Sequence, residues 1–99
     1  MEELRKMLTT YSILDNDYRL NILFTVAEEP DLSFNDIARK TGIEKALLAY
    51  HLGVLKHVGL VEMEYQKRSR KLTKYKLTEE GKEILEKLKL MVKPAESVN

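Results

Sequence analysis

The run Lys67-Arg68-Ser69-Arg70-Lys71 carries four positive charges and no acid. Guanidinium forks match phosphate oxygens and lysine adds a mobile point charge, so such a cluster is suited to a polyanion. A second candidate surface lies upstream, between Gly42 and Gly59. Leu48, Leu52 and Leu55 recur there at helical spacing as one apolar stripe, leaving Lys45, Ala49, Gly53 and Lys56 turned the other way. Lys45, Tyr50 and Lys56 can hydrogen-bond to base edges or phosphates, while Ala46, Ala49 and Gly53 permit close approach or touch a thymine methyl. Both surfaces are expected to touch DNA.

Each feature also has a plainer reading. A charged tip is an ordinary solvated turn in many proteins, Tyr50 can be a half-exposed aromatic, and the leucine stripe is core. His51 and His57 sit six residues apart, which on a helix turns them about 120° from each other and prevents them from sharing one metal ion. His51 is expected to be packed or to face phosphate. No Gly-rich phosphate loop, paired carboxylates or Ser, His and Asp constellation stands out, so catalysis is not expected. No cofactor is implied. Cysteine is absent, which excludes disulfides and thiolate metal sites.

Charge is distributed unevenly. Of 17 basic residues, six (Lys67, Arg68, Arg70, Lys71, Lys74 and Lys76) fall between Gln66 and Lys76 with no acid, leaving 11 basic against 16 acidic residues elsewhere. The near-neutral net charge of +1 therefore hides a local anion-binding segment on an acidic chain. Ninety-nine residues amount to one domain, and a second catalytic domain has no room. No apolar run approaches the roughly 18 residues of a membrane span, and the first residues lack a signal-peptide core. A cytoplasmic protein without a membrane partner is expected.

The elements that must position these residues follow from periodicity. Residues 1–14 form an N-terminal helix or arm, with Leu4, Met7 or Leu8, and Tyr11 on one side. Asp15-Asn16-Asp17 supplies caps for a core helix whose apolar positions are Leu20, Leu23, Phe24 and Ala27. Ser33 can cap a short helix carrying Asp36 in its first turn and Ile37, Ala38 and Thr41 inside, and Gly42 ends it. The next helix spans about 44–58. After Gly59 the period becomes 2: Val61, Met63 and Tyr65 alternate with Glu62 and Glu64, then Tyr75 and Leu77 with Lys74 and Lys76, as in an antiparallel hairpin. Thr78 caps a last helix, 79–93, where Gly81 is tolerated at about 1 kcal/mol. A tail at 94–99 is expected to fray.

Two short helices joined by a glycine turn and followed by a basic hairpin resemble the winged helix-turn-helix transcription regulators, most nearly their ArsR-like branch. The matching pieces are Tyr18-Arg19-Leu20-Asn21-Ile22-Leu23, then Asp36-Ile37-Ala38, then Tyr50-His51-Leu52-x-x-Leu55-x-x-x-Gly59-Leu60-Val61, and finally Tyr75-Lys76-Leu77-Thr78-x-x-Gly81. The resemblance implies a mostly helical α+β fold, a winged helix-turn-helix with a two- or three-stranded β wing and flanking terminal helices. It also implies a homodimer on pseudo-palindromic DNA, the helix at 44–58 in the major groove and the wing, 66–72, along the backbone or minor groove.

The expected DNA contacts are Ser33, Lys45, Ala46, Ala49, Tyr50, Lys56, Lys67, Arg68, Arg70 and Lys71. The stripes Leu4, Leu8, Tyr11 and Leu85, Leu88, Val92 exceed what a compact core needs; they pack within the chain or, as favoured here, across a two-fold axis. The chain departs from the family where it has Glu44 at the cap of the reading helix, few polar readers behind it, and no cysteine metal-sensing motif. Two further readings stay open: a winged-helix protein-interaction module, and a non-specific, chromatin-like DNA binder. No small-molecule effector is identifiable and no pocket is evident.

Overall fold

A computed structural model describes residues 1–66 and 69–92. The chain forms five helices and three strands: α1 (Glu2–Leu14), α2 (Asp17–Glu28), β1 (Leu32–Ser33), α3 (Phe34–Thr41), α4 (Lys45–His57), β2 (Val61–Gln66), β3 (Ser69–Leu77) and α5 (Glu79–Met91). This is the mostly helical α+β arrangement expected, a winged helix-turn-helix with a three-stranded antiparallel sheet in the order β1-β3-β2. The expected tail at 94–99 and two of the expected contacts, Lys67 and Arg68, lie outside the described residues.

Local chemistry fixes the element ends. The Asn16 side chain accepts from the Arg19 amide at 3.1 Å and starts α2. Ser33 and Asp36 close a reciprocal capping box on α3, the Asp36 amide donating to Ser33 Oγ at 3.1 Å and the Ser33 amide to Asp36 Oδ2 at 3.3 Å. Gly42 then adopts φ 72° and ψ 11°, a left-handed turn that ends α3, and α4 begins after three residues, 42–44. Thr78 caps α5 by accepting from the Gly81 amide at 2.9 Å while its hydroxyl donates to the Gly59 carbonyl at 2.6 Å.

Leu48, Leu52 and Leu55 of α4 are buried together with Ile22, Leu23, Val26, Ile37, Leu60, Val61, Leu77 and Ile84, forming one core beneath α4. In the hairpin Glu62 lies opposite Lys76 and Glu64 opposite Lys74, as the alternation requires, and the ion pair drawn is the diagonal one, Lys76 Nζ to Glu64 at 3.5 Å.

Two expectations change. The buried face of α2 is Ile22, Leu23 and Val26; Leu20 and Ala27 only flank it, and Phe24 is 40% exposed. The cause is that α2 touches α1, α3, α4 and β3, so its inner face is wider than one stripe. Of the two or three strands expected, the third is β1, whose Leu32 and Ser33 pair with Tyr75 and Lys74. Leu85, expected at a dimer interface, is 5% exposed and belongs to the core of the single chain.

Candidate nucleic-acid interface

The exposed side of α4 is the centre of the candidate surface. Burial of Leu48, His51, Leu52 and Leu55 turns Lys45, Ala46, Ala49, Tyr50, Gly53 and His57 outward. Tyr50 is 61% exposed and is the largest group on this face. Ala46, Ala49 and Gly53 leave its backbone approachable; even a β-carbon added at Gly53 would meet nothing within 4 Å. Such a face fits closely against a groove but offers few donors to read it.

Glu44 caps this helix. Its carboxylate accepts from the amides of Ala46 at 3.1 Å and Leu47 at 3.2 Å. Those are the amides that would otherwise greet a phosphate, so the positive end of the helix dipole already faces an anion of the chain's own.

Lys56 lies elsewhere than expected. It is half-buried on the flank of α4, with Nζ 3.4 Å from Met63 Sδ on β2, because the buried centre of the helix is broad enough to draw its stem inward. His57 takes the exposed position instead. Ser33 is half-buried, and its Oγ serves the α3 cap. Arg70 and Lys71 are residues of β3, so the expected tip begins inside a strand.

His51 is packed: it is 5% exposed, and Arg19 Nε donates to its Nδ1 at 3.1 Å. Tyr18 stacks on its ring at a centroid distance of 5.2 Å and Tyr50 meets it edge-on at 4.9 Å. Burial first, and then the Arg19 charge, push its pKa below the ordinary 6.5, so near neutral pH it is uncharged. Arg19 was not among the sequence candidates. It lies 32 residues from His51, and no local spacing links the two.

The terminal helices present apolar groups of both kinds. Leu4, Met7 and Leu8 of α1 and Leu90, Met91 and Val92 at the end of α5 are exposed. Tyr11 and Leu88 are half-buried against the core, and the Tyr11 hydroxyl is buried without a hydrogen-bond partner among the described residues. The expectation of no pocket also changes: Phe24, Ala27, Leu77, Leu85, Lys82 and Lys89 line an open cleft of about 570 Å³ between α2, the end of β3 and α5. Among the described residues no helix is long and apolar enough to cross a membrane.

The family model of the winged helix DNA-binding domain matches residues 18–94. No curated protein matches by sequence. Among solved structures, the transcriptional repressor BigR from Xylella fastidiosa superposes with a TM-score of 0.78 at 24% identity, covering 91% of this chain and 86% of its own. The homodimeric winged helix-turn-helix DNA-binding domain of Mb0332 from Mycobacterium bovis gives 0.75 at 23%, covering 91% and 81%. MarR gives 0.70 at 22%, with 78% of this chain matched to 56% of that longer one. At these identities the likeness is one of fold. The family match spans both helices of the helix-turn-helix, the wing and α5, and the chain belongs to the winged helix DNA-binding domain family.

Proposed function

We propose that this protein is a homodimeric, sequence-specific transcription regulator of the ArsR-like branch, with α4 in the major groove and the basic segment 66–72 along the backbone or minor groove. The observation that carries the reading is the split of α4, with Leu48, Leu52 and Leu55 buried and Lys45, Ala46, Ala49, Tyr50 and Gly53 exposed, in a chain whose next segment is rich in lysine and arginine. In a dimer the two α4 helices enter successive major grooves about 34 Å apart. The exposed Leu4, Leu8 and Val92 supply apolar surface for self-association, with Tyr11 and Leu88 at its inner edge. Mb0332 is a homodimer, and its fold is shared here.

The test is a fluorescence-anisotropy titration with the protein's own upstream DNA and a scrambled duplex at two salt concentrations. Preference for the upstream duplex is expected, with affinity falling about 10³-fold or more between 50 and 200 mM salt if six or more phosphates are contacted. The combined change Arg68→Glu, Arg70→Glu and Lys71→Glu should abolish binding; unchanged affinity removes the wing from the mechanism. The shortage of base-reading groups on α4 favours one second reading, a winged-helix module that docks another protein. Absence of any DNA shift at low salt would select it.

A further inference from the structure

One guanidinium joins three helices. Arg19, in the first turn of α2, donates from Nη1 to the Ile13 carbonyl near the end of α1 at 2.9 Å and from Nε to His51 Nδ1 in the middle of α4 at 3.1 Å. His51 lies between the rings of Tyr18 and Tyr50, and Tyr50 belongs to the exposed face of α4. A continuous line of contacts therefore runs from a terminal helix to the DNA-facing surface. The charged and titratable groups at His51 are Arg19 and Tyr18 from α2 and Tyr50 from α4 itself; α1 reaches it through the Ile13 carbonyl held by Arg19.

We propose that Arg19 and neutral His51 form a positioning couple, which passes the placement of α1 to α4 and so sets how Tyr50 and its neighbours meet DNA. The inference rests on the DNA-binding reading above. Its chemistry is one of donors and acceptors. A guanidinium only donates, so Nε–H needs an acceptor, and an imidazole with its proton on Nε2 offers Nδ1. An imidazolium offers none and sets a second cation against Arg19 in a site screened poorly by water. Protonation thus uncouples the helices. The lowered pKa of His51 keeps the couple intact at neutral pH. The sign for folding is the same: with the folded value below the unfolded one, stability is complete above the ordinary 6.5 and declines as pH falls through the folded value.

Four proteins test the couple, all carrying His57→Gln to remove the exposed imidazole: the parent, His51→Asn, Arg19→Met and Arg19→Lys. Asparagine sets an amide oxygen close to the place of Nδ1 and does not titrate. Each is titrated with the upstream duplex in steps from about pH 7.5 down to the onset of acid unfolding, with thermal unfolding and sedimentation equilibrium alongside. On acidification the parent is expected to lose affinity relative to His51→Asn, by up to about tenfold per pH unit below the His51 pKa, while both stay folded and equally associated. Arg19→Met should bind about tenfold more weakly at pH 7.5, and Arg19→Lys, which keeps the charge without the planar fork, should recover part of the loss.

Identical pH profiles for the parent and His51→Asn overturn the couple. So does a parent whose affinity relative to His51→Asn rises in acid, or an Arg19→Met loss that only follows unfolding. A parent that binds no duplex at pH 7.5 fails the DNA reading first and takes this inference with it.

Discussion

Two residues carry consequences that their types alone conceal. Glu44 stabilises α4 by accepting two amide hydrogen bonds, yet it holds a negative charge at the end of the helix that the proposed function sets against DNA. Glu44→Ser keeps a capping oxygen and removes the charge. DNA affinity is expected to rise about three- to tenfold at low salt and less at high salt, since the repulsion removed is a screened surface term. Anisotropy at two ionic strengths reads it.

Gly81 reverses the expectation drawn from helix propensity. By propensity, alanine in its place would strengthen α5; in the fold, an added β-carbon presses into the Leu60 carbonyl oxygen. The backbone of Leu60 cannot retreat, because its carbonyl also accepts from the Thr78 amide at 3.1 Å. Gly81→Ala should therefore destabilise by about 2–3 kcal/mol, measured by urea unfolding. The sequence shows a glycine in a helical pattern; the close approach that requires it comes from a turn some 20 residues away. The Arg19 and His51 pair was hidden for the same reason, whereas Ser33 and Asp36, three residues apart, were legible as a cap.

The elements were legible where their chemistry is local. Both ends of α3, the start of α4 near Glu44, the leucine stripe of α4 and the alternation of β2 with β3 follow from spacings of two, three and four residues. The short strand β1 has no period to detect: two residues join a sheet because β3 passes beside them. The face of α2 was misassigned because Leu20, Ile22, Leu23, Phe24, Val26 and Ala27 allow several stripes, and the neighbours choose among them.

Two predictions belong to this scale. Leu48→Ala removes a fully buried side chain between α4 and the core, and should cost about 2–5 kcal/mol. Ser33→Ala removes the acceptor that starts α3 and should cost about 1 kcal/mol. The Asp36 carboxyl is held below its ordinary 3.8, first by the Ser33 hydroxyl and then by the Ser33 amide. The cap is thus fully present above that value and is lost as pH falls through the lowered one, so the Ser33→Ala deficit should shrink in strong acid.

At the scale of the whole molecule, the chain is extended for its length. Its radius of gyration is 14.6 Å, against about 13 Å for a compact chain of this size. Leu4, Met7 and Leu8 remain in solvent on α1, as do Leu90, Met91 and Val92 at the far end of α5. Apolar groups left out of the core at both termini are what a second copy would cover.

The combined change Leu4→Glu and Leu8→Glu tests this without touching the core, since both side chains are exposed. If α1 mediates pairing, the parent's melting temperature rises with protein concentration and the variant's does not. On DNA the two should differ according to the number of half-sites. Bringing two α4 helices to one duplex makes the second contact intramolecular, which raises affinity about 10²–10⁴-fold over a single contact. The variant should lose that factor on a duplex with two half-sites and almost nothing on a duplex with one. Equal losses on both duplexes would instead place Leu4 and Leu8 in the DNA contact itself, and leave α5 to carry any dimer.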